Sequence, residues 1–116
     1  LQRRRLYSRW KPPACFDRNL VVIGAGSAGL VSSYIAATVG AKVTLVEANR
    51  MGGDCLNTGC VPSKALIKTA KLAEAIRRGD QYGLAPAEPA LSFRQTMTRV
   101  KRVIAEIEPH DSVERY

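Results

Sequence analysis

Apolar and polar positions along this chain fall into two periods, and the switches between them mark the elements. Asn19-Leu20-Val21-Val22-Ile23 is a short β-branched run that predicts a buried parallel strand. Gly24-Ala25-Gly26-Ser27-Ala28-Gly29 breaks it. Leu30 to Val39 reads as a helix rich in small residues with Gly40 as its stop, and Ala41 to Glu47 as a second strand. Together they make a βαβ unit. Gly52 and Gly53 mark a loop, and a helix is predicted from Pro62 to Arg78, with Pro62 in its first turn and Gly79 as its stop. Residues 81–90 contain Pro86 and Pro89 and read as a loop. Ser92 and Gln95 have capping-box spacing. The helix they open carries Phe93, Met97, Val100, Val103, Ile104 and Ile107 on one apolar stripe, read as packing surface, and Pro109 stops it. Two strands cannot complete a doubly wound sheet. The expected fold class is therefore α/β: a partial Rossmann-like domain, a βαβ unit plus helices, truncated in mid-domain.

The first candidate chemistry lies between the two strands. Gly24, Gly26 and Gly29 form a GxGxxG, a weak signal alone, but here it follows a strand and opens a helix. Gly24 permits the tight turn, Gly26 admits a pyrophosphate close to the backbone, and Gly29 lets helix and strand pack closely. The helix N-terminus, with Ser27 and Ala28, would offer unpaired N–H groups and a positive dipole end to phosphates. Glu47 ends the second strand 18 residues after Gly29. Its carboxylate can accept from a ribose 2′-OH and would repel a 2′-phosphate, so the site reads as one for FAD or NAD. The alternative is a generic glycine turn with an exposed glutamate.

The second candidate is a cysteine pair. Cys55 and Cys60 lie in the run Gly52-Gly53-Asp54-Cys55-Leu56-Asn57-Thr58-Gly59-Cys60-Val61-Pro62-Ser63-Lys64. Five residues of regular helix would separate their Cα atoms by roughly 8–9 Å, whereas a disulfide needs about 7 Å or less. The pair therefore cannot share an undistorted helix, and Asn57 and Gly59 allow the chain to fold back. Pro62 is expected to start the helix just after Cys60. The helix dipole, and Lys64 four residues on, should favour the Cys60 thiolate, leaving Cys55 free to exchange with a substrate disulfide. Metal binding and inert packing are the competing readings. Zinc needs four ligands, and only Cys15 and His110 remain as further soft donors, neither with partner spacing, so no metal site is expected.

Charge changes the picture only at the N-terminus. The 116 residues carry a formal net charge of +8. Arg3, Arg4, Arg5, Arg9, Lys11 and Arg18 against Asp17 give +5 within residues 1–18, which leaves +3 for the rest. Residues 1–16 read as a basic tail or linker, and residues 17–116 as the domain. A solvated tail, an organelle transit peptide and the cytoplasmic flank of an upstream membrane segment all fit, although Pro12 and Pro13 weaken the transit reading. The start at Leu1 carries the expectation that sequence precedes it. No run is long and apolar enough to span a bilayer, and no secretory signal is visible. The expected location is the cytoplasm or the cytoplasmic face of a membrane. A basic membrane- or nucleic-acid-associated binding module is the contrasting class, and nucleic acid is not the expected partner.

The run Gly52 to Lys64 resembles the active-site signature of the class I pyridine nucleotide-disulfide oxidoreductases, a family that includes dihydrolipoamide dehydrogenase, glutathione reductase and mercuric reductase. The resemblance extends from about Asp17 to Tyr116, and the closing segment 109–116 is similar to bacterial mercuric-reductase-like and dihydrolipoamide-dehydrogenase-like members. It implies an FAD-binding domain in which Gly24, Gly26, Ser27, Ala28, Gly29, Glu47, Ala48, Gly52, Gly53 and Asp54 hold the cofactor. It also implies Cys60 as the charge-transfer thiol against the flavin, Cys55 as the interchange thiol, and Lys64 at the isoalloxazine. Electrons would pass between NAD(P)H, FAD, the cysteine pair and a small-molecule or protein disulfide, a dithiol or a mercuric ion. A flavoprotein whose cysteines do not cycle is the runner-up. The family's NAD(P)H domain and its interface domain, which supplies a partner subunit's His-Glu pair in a homodimer, would lie beyond this chain. His110 is not that histidine, and the piece alone is expected to be inactive. Most members have Thr at the position of Asp54, where a carboxylate near phosphates needs compensation.

Overall fold

The computed structural model describes Lys11 and residues 14–116. Arg3, Arg4, Arg5, Arg9, Pro12 and Pro13, on which the readings of the basic tail rest, lie outside the described residues. Strand β1 (Leu20–Ile23) pairs in parallel with β2 (Val43–Val46), in the register Leu20 to Val43 through Ile23 to Val46. Asn19 holds the start of the pair. Its N–H donates to the Lys42 carbonyl at 2.9 Å, and its Oδ1 accepts from the Lys42 N–H at 2.8 Å.

Helix α1 (Ser27–Thr38) makes the crossover and presses Leu30 and Ser33 on the sheet. It starts three residues earlier than expected, with Gly26 as its N-cap, so Ser27, Ala28 and Gly29 form its first turn. The reason is contact. A Cβ on Gly29 would lie 1.8 Å from the Gly24 carbonyl oxygen and 3.3 Å from Val22 Cγ1, so only glycine lets the helix begin this close to β1. At the other end the Gly40 N–H reaches the Ala37 carbonyl at 2.9 Å and the Ala41 N–H the Ala36 carbonyl at 3.0 Å, a Schellman closure.

The β1 strand is covered on one face only. Val22 packs under α1, while Val21 is 57% and Ile23 86% exposed, because nothing among the described residues covers the second face. The parallel strand stands where expected, with its second face uncovered among the described residues.

The rest of the chain is helical. Helix α2 (Gly53–Asn57) stands where a loop was expected. Asn57 Nδ2 ties it down by donating to the Met51 and Gly53 carbonyls at 3.2 and 2.8 Å. Helix α3 (Cys60–Arg77) starts at Cys60, not at Pro62. Pro62 falls at the third helical position, where its missing N–H would have had no intrahelical partner in any case. After a 3₁₀ turn (Gly79–Tyr82), helix α4 (Phe93–Ile107) packs on α3. Leu56, Ala65, Ala73 and Val100 are buried between α2, α3 and α4. Arg99 Nη1 donates to the Ala65 carbonyl at 2.9 Å across the α3–α4 pair.

The Ser92 hydroxyl caps α4 by accepting from the Gln95 N–H at 3.4 Å. Val100 anchors the expected stripe at 2% exposure, but Phe93 is 78% exposed. As the first residue of α4 it borders an open apolar groove with Leu66, Thr69 and Ala70 of α3. Pro109 follows the helix end, inside a 3₁₀ turn (Glu108–Asp111). The result is an α/β fragment, a βαβ unit joined to the two expected helices and the short α2.

Candidate functional site

The glycine loop is fastened on three sides. The Gly24 N–H donates to the Val46 carbonyl at 2.7 Å. The Ala25 N–H donates to Glu47 Oε2 at 2.6 Å, and the Ala25 carbonyl accepts from the Gly52 N–H at 2.9 Å. Ala25 itself is fully buried. The last of these bonds docks the start of the cysteine segment on the loop. Gly52 (φ +80) and Gly53 (φ +54) both lie in the left-handed region, which L side chains avoid. A Cβ at Gly53 would come 2.8 Å from Gly26 Cα, so glycine is also required by the close approach.

Gly26, Glu47, Asn49, Arg50, Gly53, Asp54, Asn57 and Thr58 line an open cleft of about 510 Å³ beside this junction. The cleft suits the phosphate-bearing half of a dinucleotide in three respects. Around Gly26 nothing lies within 4 Å of where a Cβ would be. Helix α1 starts there with no side-chain cap, so its first-turn N–H groups and dipole remain for an anion. Asp54 brings an acidic residue to the cleft, as its position in the sequence warned, and Arg50 lines the same space with the opposite charge.

Glu47 stands at the end of β2 as expected, but it is engaged inward. Oε2 accepts from Ala25 and Oε1 from the Asn49 N–H at 2.8 Å. These backbone donors, Ala25 first and Asn49 second, hold its carboxyl below the ordinary carboxylate range. A carboxylate has further lone pairs, so a ribose hydroxyl remains an additional partner.

The cysteines meet through the turn between α2 and α3. The Thr58 and Gly59 N–H groups both return to the Asp54 carbonyl, the first at 2.9 Å. A Cβ on Gly59 would sit 2.9 Å from that oxygen, which is why the turn takes glycine. Both thiols are free, with Cys55 half-buried on α2 and Cys60 exposed as the first residue of α3.

They titrate as a pair. The Cys55 thiol is pushed down, chiefly by the hydrogen bond it accepts from Cys60 and next by Ser27. The Cys60 thiol is pushed up by the same bond to Cys55, then by desolvation and by the Cys55 charge. The Lys64 charge lowers both. The helix end and Lys64 act to favour the Cys60 thiolate, as expected, and the neighbouring Cys55 acts against them.

The structure therefore brings Gly26, Glu47, Gly53 and Asp54 to one cleft, with Gly24, Gly29 and Gly52 shaping its walls from behind. Cys55, Cys60, Ser27 and Lys64 form a neighbouring group. Ala28 and Ala48 are exposed and line neither. Asn49, Arg50, Asn57 and Thr58 line the cleft without having been named as cofactor contacts in the sequence. Arg50 had a signal, as the one cation between Glu47 and Cys55. Among the described residues no three His, Cys, Asp or Glu side chains gather as a metal site requires, and no helix is long and apolar enough to cross a membrane.

Comparison with known proteins points the same way. The sequence profile of the family "Pyridine nucleotide-disulphide oxidoreductase" matches residues 18–114. A dihydrolipoyl dehydrogenase of Bacillus subtilis (strain 168) is 36% identical over 88 residues, which is 76% of this chain and 19% of that protein. The dihydrolipoyl dehydrogenase of Chlamydia muridarum is 50% identical over 64 residues, 55% of this chain and 14% of that protein. The glutathione reductase of Yarrowia lipolytica is 44% identical over 69 residues, 60% of this chain and 15% of that protein. A mutant of the HOCl-induced flavoprotein disulfide reductase RclA from Escherichia coli, in its Cu(II) complex, has the same fold. It superposes with a TM-score of 0.62 at 23% identity, over 84% of this chain and 19% of that one. The chain thus spans no more than 19% of the length of these relatives.

Proposed function

The chain belongs to the pyridine nucleotide-disulphide oxidoreductase family, whose members are FAD-dependent and use NAD(P)H, and on that premise we propose that Cys55 and Cys60 are the redox pair of a disulfide reductase or dithiol oxidase. The observation that carries the reading is the coupled thiol pair beside Lys64, on a segment docked directly on the glycine loop. Gly26, Glu47, Gly53, Asp54 and Arg50 would hold the cofactor's ADP half, and Lys64 would lie toward its ring. When bound, FAD would supply a two-electron relay between the nicotinamide and the Cys55–Cys60 disulfide.

The remaining chemistry belongs to the sulfurs. In the reduced pair the Cys55 thiolate, favoured by its neighbours Cys60 and Ser27, attacks the substrate disulfide. One substrate sulfur leaves as a thiolate, and a mixed disulfide forms on Cys55. The bond and the charge that raised Cys60 are then gone, while Lys64 and the α3 N-terminus still favour its thiolate. Cys60 attacks Cys55 Sγ, releases the second substrate thiol and restores the Cys55–Cys60 disulfide. The substrate acquires two electrons and two protons. The reverse sequence oxidises a dithiol.

The relatives named as dihydrolipoyl dehydrogenase and glutathione reductase favour a small disulfide or dithiol as substrate. A homodimer, and a reducing compartment such as the cytoplasm, complete the proposal; free thiols of this kind persist there. Anaerobic titration of the complete gene product with NADH or NADPH tests it. The wild-type protein should take up one electron pair more per flavin than Cys60→Ser. Equal uptake by the two would leave a flavoprotein whose cysteines do not cycle.

A further inference from the structure

Glu47 has more hydrogen-bonding work than a ribose requires. Both its oxygens are already committed to backbone, Oε2 to the Ala25 N–H at 2.6 Å and Oε1 to the Asn49 N–H at 2.8 Å. Ala25 is fully buried and is the residue through which the phosphate loop meets the cysteine segment, since its carbonyl takes the Gly52 N–H at 2.9 Å. A buried N–H without a partner is costly, and a charged acceptor makes the stronger bond. Among the described residues no other acceptor stands at the Ala25 N–H. The neighbouring Gly24 N–H is spent on Val46, so it cannot share the task.

We propose that Glu47 is a positioning residue that clamps the phosphate loop in its binding shape before any nucleotide arrives. Its carboxylate bridges Ala25 in the loop to Asn49 after β2, and so fixes the loop against the strand end from which the Gly52–Gly53 turn departs. The proposal rests on the reading of this site as a dinucleotide cradle, but it assigns Glu47 a contribution that does not pass through the ribose. Loss of the carboxylate therefore weakens every ligand that needs the loop, including one with no ribose hydroxyls.

Two measurements on the complete, flavin-stripped protein test this. The first is amide hydrogen exchange of the wild-type protein over residues 22–30. Ala25 should be protected without ligand, and exchange there at the rate of an open loop overturns the clamp. The second is titration of wild type, Glu47→Gln and Glu47→Leu with FAD and with an FAD analogue lacking both adenosine ribose hydroxyls. Gln keeps one neutral acceptor and Leu keeps none. About tenfold weaker binding is expected for Gln, and more for Leu, with the same factor for both ligands. A defect seen with FAD and absent with the analogue would mean that Glu47 acts through the ribose alone. If wild type binds no flavin, the cofactor reading falls and the exchange measurement decides the clamp by itself. If a variant does not fold, wild-type exchange, followed as the pH is lowered below 4.5, decides it. Protection of Ala25 should fade as the Glu47 carboxylate is protonated, and protection unchanged through that range overturns the proposal.

Discussion

Alanine at Gly29 and alanine at Gly26 should fail in different ways, although both glycines belong to one fingerprint. At Gly29 the added Cβ would sit 1.8 Å from the Gly24 carbonyl oxygen and 3.0 Å from its carbon. Ordinary contact starts at 3.4 Å, so helix and loop must part by 1.6 Å. The obstacle is backbone, which has no rotamer to change. Overpacking of this kind costs ~1–3 kcal/mol and occasionally more, and a rigid carbonyl puts Gly29→Ala at or above the upper end. With m values of ~1–3 kcal/mol/M, a loss of that size lowers the urea midpoint by about 1 M or more. At Gly26 the same methyl meets nothing within 4 Å, and its φ of −77° suits any residue. Gly26→Ala should leave the flavin-free stability within about 0.5 kcal/mol of wild type. Its methyl group would project into the cleft and weaken flavin binding. Urea unfolding of the flavin-free protein and a flavin titration, run on both variants, separate the two effects. A Gly29→Ala protein as stable as wild type would refute the close-packing argument. Equal destabilisation by both variants would refute the view of Gly26 as cleft lining.

Three further outcomes follow from other parts of the structure. In Cys55→Ser, Cys60 loses its coupling to a second thiolate and should be alkylated by iodoacetamide at lower pH than in wild type; an unchanged or higher pH profile counts against the coupling. Glu47 has its folded-state pKa below the ordinary 4.5, so the stability it lends is complete above that value and is lost as pH falls through the lower folded value. Acid unfolding of Glu47→Gln should accordingly lack that component, and identical acid transitions in the two proteins would contradict the assignment. Ser92→Ala removes the α4 cap and should cost about 0.5–1 kcal/mol in urea unfolding, the low end for a cap because the bond is long at 3.4 Å.

The sequence was most legible where one local rule decides the outcome. The β-branched runs around Val22 and Leu45 gave the parallel pair, and the glycines at 24, 26 and 29 gave the turn between strand and helix. Ser92 and Gln95 announced their cap. It was least legible where distant backbone decides. The five-residue helix α2 has two glycines at its start and depends on Asn57 reaching Met51 and on Gly52 reaching Ala25, and no periodicity records such contacts. Glu47 was recognisable as a carboxylate at a strand end, but its inward bonds depend on where the loop settles. The helix end and Lys64 beside Cys60 are visible in the sequence, while the influence of Cys55 on Cys60 depends on the turn through Gly59. Phe93 obeyed the helical stripe and still lies in the open, since a stripe gives direction and not whether the groove beside it is filled.

The bond between Ala25 and Gly52 bears on how this fold can be cut and recombined. A strand–helix–strand unit looks like a portable cassette, ending naturally at Glu47. Here it is not self-contained. A graft ending at residue 47 would carry a buried alanine whose carbonyl has lost its donor, and it would also lose Asn49, which steadies the clamp from the far side. The smallest transplantable part runs from Asn19 through the Gly52–Gly53 turn, and the Gly53 contact with Gly26 brings the cysteine turn with it. Cradle and redox pair are one module for a protein engineer, and a chimaera that swaps one without the other should express a loop of the wrong shape.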